Sequence, residues 1–158
     1  MRDSEQADRR AAVVRAVRSG EVEAYAALRA TGLIESPWAF ASSPDDDLGP
    51  DEVRRRLDPA CNVIIAAFGS NTAQSPAIAI AGIARTTKHK SAHLATIWGV
   101  YTHPEYRGNG IGRRVLTRAI DTARAWEGVT GVCLSVSTRT KPAIVLYRSL
   151  GFVEWGRE

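Results

Sequence analysis

Residues Arg107-Gly108-Asn109-Gly110-Ile111-Gly112-Arg113 join an apolar strand to the best-patterned helix of the chain. Glycine is costly in a helix relative to alanine. Three at alternate positions therefore point to backbone geometry that other residues do not take readily. The helix is predicted over Asn109–Glu127. Ile111, Val115, Ala119 and Ala123 recur every fourth residue, with Leu116, Ile120 and Trp126 beside them. Arg113, Arg114, Thr117, Arg118, Asp121 and Arg124 fall on the opposite face. The strand before it covers His93–Tyr101. A strand, a short turn, glycines and a helix start aim successive backbone N–H groups at one point, where the helix dipole is positive. Such a cradle suits a phosphate or pyrophosphate, and Arg107, Arg113 and Arg114 add positive charge beside it.

Two common phosphate-binding patterns do not fit. The dinucleotide fingerprint G-x-G-x-x-G fails on spacing, because the glycines here run G-x-G-x-G. The Gly-Lys-Ser/Thr of a P-loop is absent. The rest of the chain supplies the other elements: a strand at Ala11–Val17, a helix from Glu21 to about Ile34, a loop over Ser36–Pro50 and a short helix at Pro50–Leu57. Strands Asn62–Phe68 and Ala77–Arg85 form a hairpin across a turn-rich link. A buried strand follows at Gly131–Ser137. A last helix opens at Thr140-Lys141-Pro142, with Thr140 as N-cap and Gly151 as the glycine that ends it. Phe152–Trp155 starts a final strand. The order β-α-α-β-β-β-α-β-α-β predicts a mixed α/β fold with helices on both faces of the sheet.

Length and composition bound the function classes. At 158 residues the chain is expected to be one domain, with residues 1–10 a frayed lead-in. No apolar stretch approaches a membrane span, and Met1–Arg10 lacks the apolar core of a secretory signal. Two cysteines make no disulfide framework, so a cytoplasmic setting is expected. The net charge of +4 carries no basic block, which argues against a nucleic-acid arm and suits a small anionic ligand. Three scattered histidines and two distant cysteines give no metal-ligand spacing.

The segment Arg107-Gly108-Asn109-Gly110-Ile111-Gly112, preceded by Val100-x-Thr102-x-Pro104, resembles the coenzyme A loop of the GNAT N-acetyltransferase superfamily. Thr140-Lys141-Pro142-Ala143-Ile144-Val145-Leu146-Tyr147-Arg148-Ser149-Leu150-Gly151-Phe152 is similar to that family's second motif, N-x-x-A-x-x-x-Y-x-x-x-G-F. The match is specific over residues 93–153 and topological before them. It implies acetyl-CoA lying where two parallel strands part, here His93–Thr102 and Gly131–Ser137. Val100 and Thr102 would pair with the pantetheine arm through their backbones. An N–H at Val100 or Tyr101 would polarise the thioester carbonyl, and amides from Arg107 to Arg113 would hold the pyrophosphate.

The resemblance also implies an amine acceptor, of a small molecule or a protein terminus, and assigns Tyr147 as general acid to the departing thiolate. Thr140 stands where the family often has Asn, and it is either an N-cap or a pantetheine contact. Where many relatives carry a fourth-strand glutamate, this chain has Ile97 and Trp98. Glu35, His93 and His103 are then the remaining candidates for a base. Trp38, Phe40 and Trp98 either line the acceptor site or fill the core. An acyl-CoA-binding regulator without turnover, or a module gripping another nucleotide, are the alternative readings. The resemblance implies a closing hairpin after the Gly151-Phe152 strand, whose return strand is expected to be absent or trimmed here. The strand edge it would cover makes a homodimer a candidate arrangement.

Overall fold

A computed structural model describes residues 11–72 and 74–157. The lead-in Met1–Arg10 lies outside them. The chain's two most apolar strands occupy the middle of the sheet. Strands β2 (Asn62–Phe68) and β3 (Ala77–Arg85) are buried on both faces and pair antiparallel. Ile65, Ala67, Ala79, Ala81 and Ile83 turn to one side; Ile64, Ala66, Phe68 and Ile80 turn to the other. Strand β1 (Val13–Ala16) flanks β2, and β4 (Leu94–Thr102) flanks β3, both antiparallel. Strand β5 (Gly131–Leu134) joins β4 in parallel, giving the order β1-β2-β3-β4-β5.

Each face carries helices. Helix α1 (Val22–Glu35) and the short α2 (Pro50–Arg56) cover one face through Val22, Tyr25, Leu28 and Val53. Helix α3 (Ile111–Arg124) covers the other with Ile111, Val115, Leu116, Ala119 and Ala123, the face predicted from their spacing. The small residues on both sides of that interface let helix and sheet approach closely. Burying each Ile or Leu there contributes about 1.5–3 kcal/mol. Helix α4 (Lys141–Ser149) adds Tyr147 to the same cluster. No helix among the described residues is long and apolar enough to cross a membrane.

The β2–β3 register shifts between Ala67 and Phe68, and a second irregularity, between β3 and β4, shapes the sheet beside β5. Ile80 of β3 faces Tyr101, but Gly82 faces Trp98, so three steps along β4 match two along β3. The extra residue is a β-bulge, with Gly99 in the left-handed region at φ +60. The β4–β5 pairing ends at Ile97 and Leu134, directly before the bulge. Beyond that point the two strands part.

Two predicted strands are corrected. The strand expected over Gly131–Ser137 stops at Leu134, because the bulge turns β4 away and removes the ladder partner of Ser135–Ser137. The strand expected at Phe152–Trp155 does not form. Val153 and Trp155 are 82% and 89% exposed, and an apolar alternation with no neighbouring strand has nothing to pair with.

Candidate functional site

The glycine loop begins with a 3-10 turn over Pro104–Tyr106, which His103 caps by accepting the Glu105 N–H on Nδ1 at 3.3 Å. Gly108 and Gly110 then take left-handed backbones at φ +77 and +75. The Asn109 side chain holds the turn from within, donating to the carbonyls of Tyr106 and Arg107 at 3.3 and 3.1 Å. The first bond of α3 runs from the Arg114 N–H to the Gly110 carbonyl at 3.1 Å. Among the described residues, the N–H groups of Gly108 through Arg113 find no acceptor in the chain. A row of amides without acceptors at a helix start has the chemistry an anion site needs. Gly112 serves another purpose. A Cβ there would lie 3.3 Å from Thr102 Oγ1, so the glycine lets α3 sit tightly against the end of β4.

The arginines divide. The Arg107 side chain turns from the loop, donating from Nε to the Thr102 carbonyl at 2.9 Å and pairing with Glu35 at 3.0 Å. Its guanidinium lies 5.5 Å from the centre of the Tyr101 ring. Arg113 donates to Ser149 Oγ at 2.5 Å, tying α3 to α4.

Where β4 and β5 part, a cleft of about 60 Å³ opens, walled by Trp98, Gly99 and Val100 on one side and Leu134–Ser137 on the other. Ala39, Ile97, Thr140, Ala143 and Tyr147 complete it. Tyr147 is 7% exposed, and its hydroxyl makes no hydrogen bond among the described residues. Burial pushes the phenol up to about 12, so it stays neutral and able to donate across the physiological range.

The helix end fixes this ring. Gly151, at φ +94, donates to the Arg148 carbonyl, and Phe152 donates to the Tyr147 carbonyl, both at 3.1 Å. That is a Schellman motif, whose apolar contact is the edge-to-face packing of Phe152 on Tyr147 at 6.0 Å. The Gly-Phe pair therefore sets the height of the phenol at the cleft wall.

The other predicted residues fall as follows. Trp98 reaches the cleft, with its indole laid across Gly82, where a Cβ would stand 2.1 Å away. Phe40 packs 6.0 Å from Tyr101 in the second core cluster, and Trp38 is 48% exposed. Tyr101 faces that same cluster, where its buried hydroxyl lacks a partner. Burial and the nearby Glu35 carboxylate raise its pKa.

Thr140 precedes α4 but caps nothing with its side chain, donating instead to the Ser137 carbonyl at 2.7 Å. Glu35 accepts from Ser36 at 2.5 Å and pairs with Arg107, and both hold its pKa below the usual carboxylate range. That makes it a weak base. Among the described residues, no carboxylate or imidazole lines the cleft. Ala39 was missed by sequence reasoning and no local pattern marks it; Ser135 and Val136 fall in the strand expected beside the ligand and Ala143 in the quoted motif, though none was singled out. The bulge had a signal, since an isolated glycine inside a strand pattern suggests one.

A profile of the acetyltransferase (GNAT) family matches residues 27–152. N-alpha-acetyltransferase RimI of Mycobacterium tuberculosis is 34% identical over 112 residues, covering 71% of this chain and 65% of RimI. The L-amino acid N-acyltransferase MnaT of Escherichia coli is 39% identical over 54 residues, 34% of this chain and 31% of MnaT. The chain spans less than half the length of the first curated relatives it matches, at 31%, 23% and 42%. A predicted acetyltransferase of Clostridium acetobutylicum, solved with acetyl-CoA, superposes with a TM-score of 0.66 at 24% identity, over 93% of this chain and 95% of that one. With the family profile spanning residues 27–152 and the parted parallel strands, glycine cradle and Gly-Phe helix end in place, the chain belongs to the GNAT acetyltransferase family.

Proposed function

We propose that this domain transfers an acetyl group from acetyl-CoA to a primary amine of a small molecule or protein terminus. The observation that carries the reading is a neutral, unbonded phenol at Tyr147 in the cleft where β4 and β5 part, together with the unbonded amides of the loop that follows β4. Gly108 through Arg113 would hold the diphosphate by their N–H groups. The β4 edge from Trp98 to Thr102, left without a β5 partner, would take the pantetheine arm as a strand takes a neighbour. Acetyl-CoA supplies the thioester. A backbone N–H at Val100 or Tyr101 would stabilise the negative charge that develops on the carbonyl oxygen.

The neutral amine attacks the carbonyl carbon, a C–N bond forms and the C–S bond breaks. Tyr147 gives its proton to the departing sulfur and recovers one from the acylated nitrogen through solvent. No side chain in the cleft is needed as a base if the amine arrives neutral, and none is present there. That same lack favours the second reading, an acyl-CoA-binding regulator without turnover.

Thiol release from acetyl-CoA over an amine panel separates the two. Tyr147→Phe keeps the ring contact with Phe152, so acetyl-CoA affinity should stay within a few-fold. Turnover should fall by roughly 10²–10⁴. Unchanged turnover would remove the phenol from the chemistry, and no thiol release from any amine would favour the regulator.

A further inference from the structure

Arg29 is 8% exposed, on the face of α1 that packs against the sheet. Its Nε donates to both oxygens of Asp47, at 2.8 and 3.0 Å, and Nη2 reaches Ser42 Oγ at 3.4 Å. Nη1 is buried with no hydrogen-bond acceptor among the described residues. The guanidinium lies between two aromatic rings, 5.1 Å from the centre of Phe40 and 5.8 Å from that of Trp98. These faces attract the cation but leave the in-plane N–H groups unmet. Nη1 is pressed against the bulge: it lies 2.8 Å from the position a Cβ on Gly99 would take. Gly99 and Trp98 are themselves walls of the cleft. Buried donors are almost always paired, and an unpaired arginine edge lying against a residue of the cleft wall is shaped for a carboxylate.

We propose that Arg29 anchors a carboxylate of the acceptor through Nη1, and that the acceptors are α-amino acids with a free carboxylate. This deepens the acetyltransferase reading and rests on it. A group held at Nη1 stands beside Gly99, one residue from Val100, where the thioester carbonyl is expected. An α-amino acid carries its amine one carbon from its carboxylate, so the anchored acid presents the nitrogen at the bulge. Asp47 occupies the opposite edge of the guanidinium and balances its charge until the acceptor arrives. Ser42 and Asp47 come from segment 36–49, the loop in which the sequence places the acceptor-site candidates Trp38 and Phe40. That loop, with Phe40, would form the acceptor-side wall.

The test compares L-amino acids with the matching amino-acid amides, which keep the shape and lose the charge, as acceptors in thiol release from acetyl-CoA. The wild-type protein should prefer the acids by roughly 10–100-fold in kcat/KM, mostly through KM, as expected of a charged hydrogen bond. Arg29→Gln should collapse that ratio towards one. Should this variant fail to melt cooperatively, the wild-type ratio alone decides. Equal use of acids and amides by the wild type, or an unchanged ratio in a folded Arg29→Gln protein, overturns the assignment. Turnover of neither series also overturns it. Calorimetry with acetyl-CoA then tells whether the reading beneath it stands: binding keeps the coenzyme site, and no binding removes both.

Discussion

Gly110 offers a clean test of the anion cradle. It sits at φ +75, and a Cβ built there meets nothing within 4 Å. Asp and Asn enter the left-handed region more readily than other L-residues. Gly110→Asp and Gly110→Asn therefore bear a similar backbone cost and the same shape, and differ by one charge. A carboxylate about 6 Å from a phosphate charge, at a surface dielectric of about 20, opposes it by about 3 kcal/mol, or roughly 100-fold in Kd. The screening length is about 8 Å at physiological salt, so the gap should narrow as salt rises. Isothermal titration of coenzyme A into both variants at low and high salt measures this. Pantetheine, which lacks the diphosphate, should not distinguish them. Equal coenzyme A affinity at low salt, or a gap that survives high salt, would refute an anion seated on these amides.

The cleft's ionisable chemistry predicts a simple pH profile. Tyr147, pushed up to about 12, holds its proton throughout the working range, and no carboxylate or imidazole lines the site. The value of kcat/KM should rise with pH along a limb set by the acceptor's ammonium group, and that limb should move when an amine of different basicity is used. A limb fixed in the histidine range for every acceptor would reveal a protein base. Gly82→Ala forces a methyl group into the Trp98 ring. Overpacking of this kind costs about 1–3 kcal/mol, and melting should fall by roughly 2–4 °C for each kcal/mol. An unchanged melting temperature would mean that the indole moves aside freely.

Features that rest on local backbone demand were legible in the sequence. Gly108, Gly110 and Gly151 all stand at positive φ, and each sits where a helix begins or ends. The α3 face was legible for the same reason, since its period of four belongs to one element. The hidden features depend on contacts between distant segments. Nothing near Gly82 says that Trp98 will lie across it. Ser135–Ser137 have a strand-like pattern, yet the bulge in β4 takes away their partner. Nothing in the sequence of α1 singles out Arg29, which only the packing of Phe40, Trp98 and Asp47 around it removes from water. Ala39 reaches the cleft from a segment whose prolines and aspartates read as connection.

The free amides at 108–113 belong to the main chain, and every residue except proline brings the same donor. On the proposed reading, an anion held there would be indifferent to whether position 109 is asparagine or position 111 isoleucine, provided the turn keeps its path. A protein built on this grip is free to exchange nearly all its surface chemistry around the loop and still hold one carrier. Diversity would then fall to the acceptor side, which the proposal places at the side chains of α1 and segment 36–49.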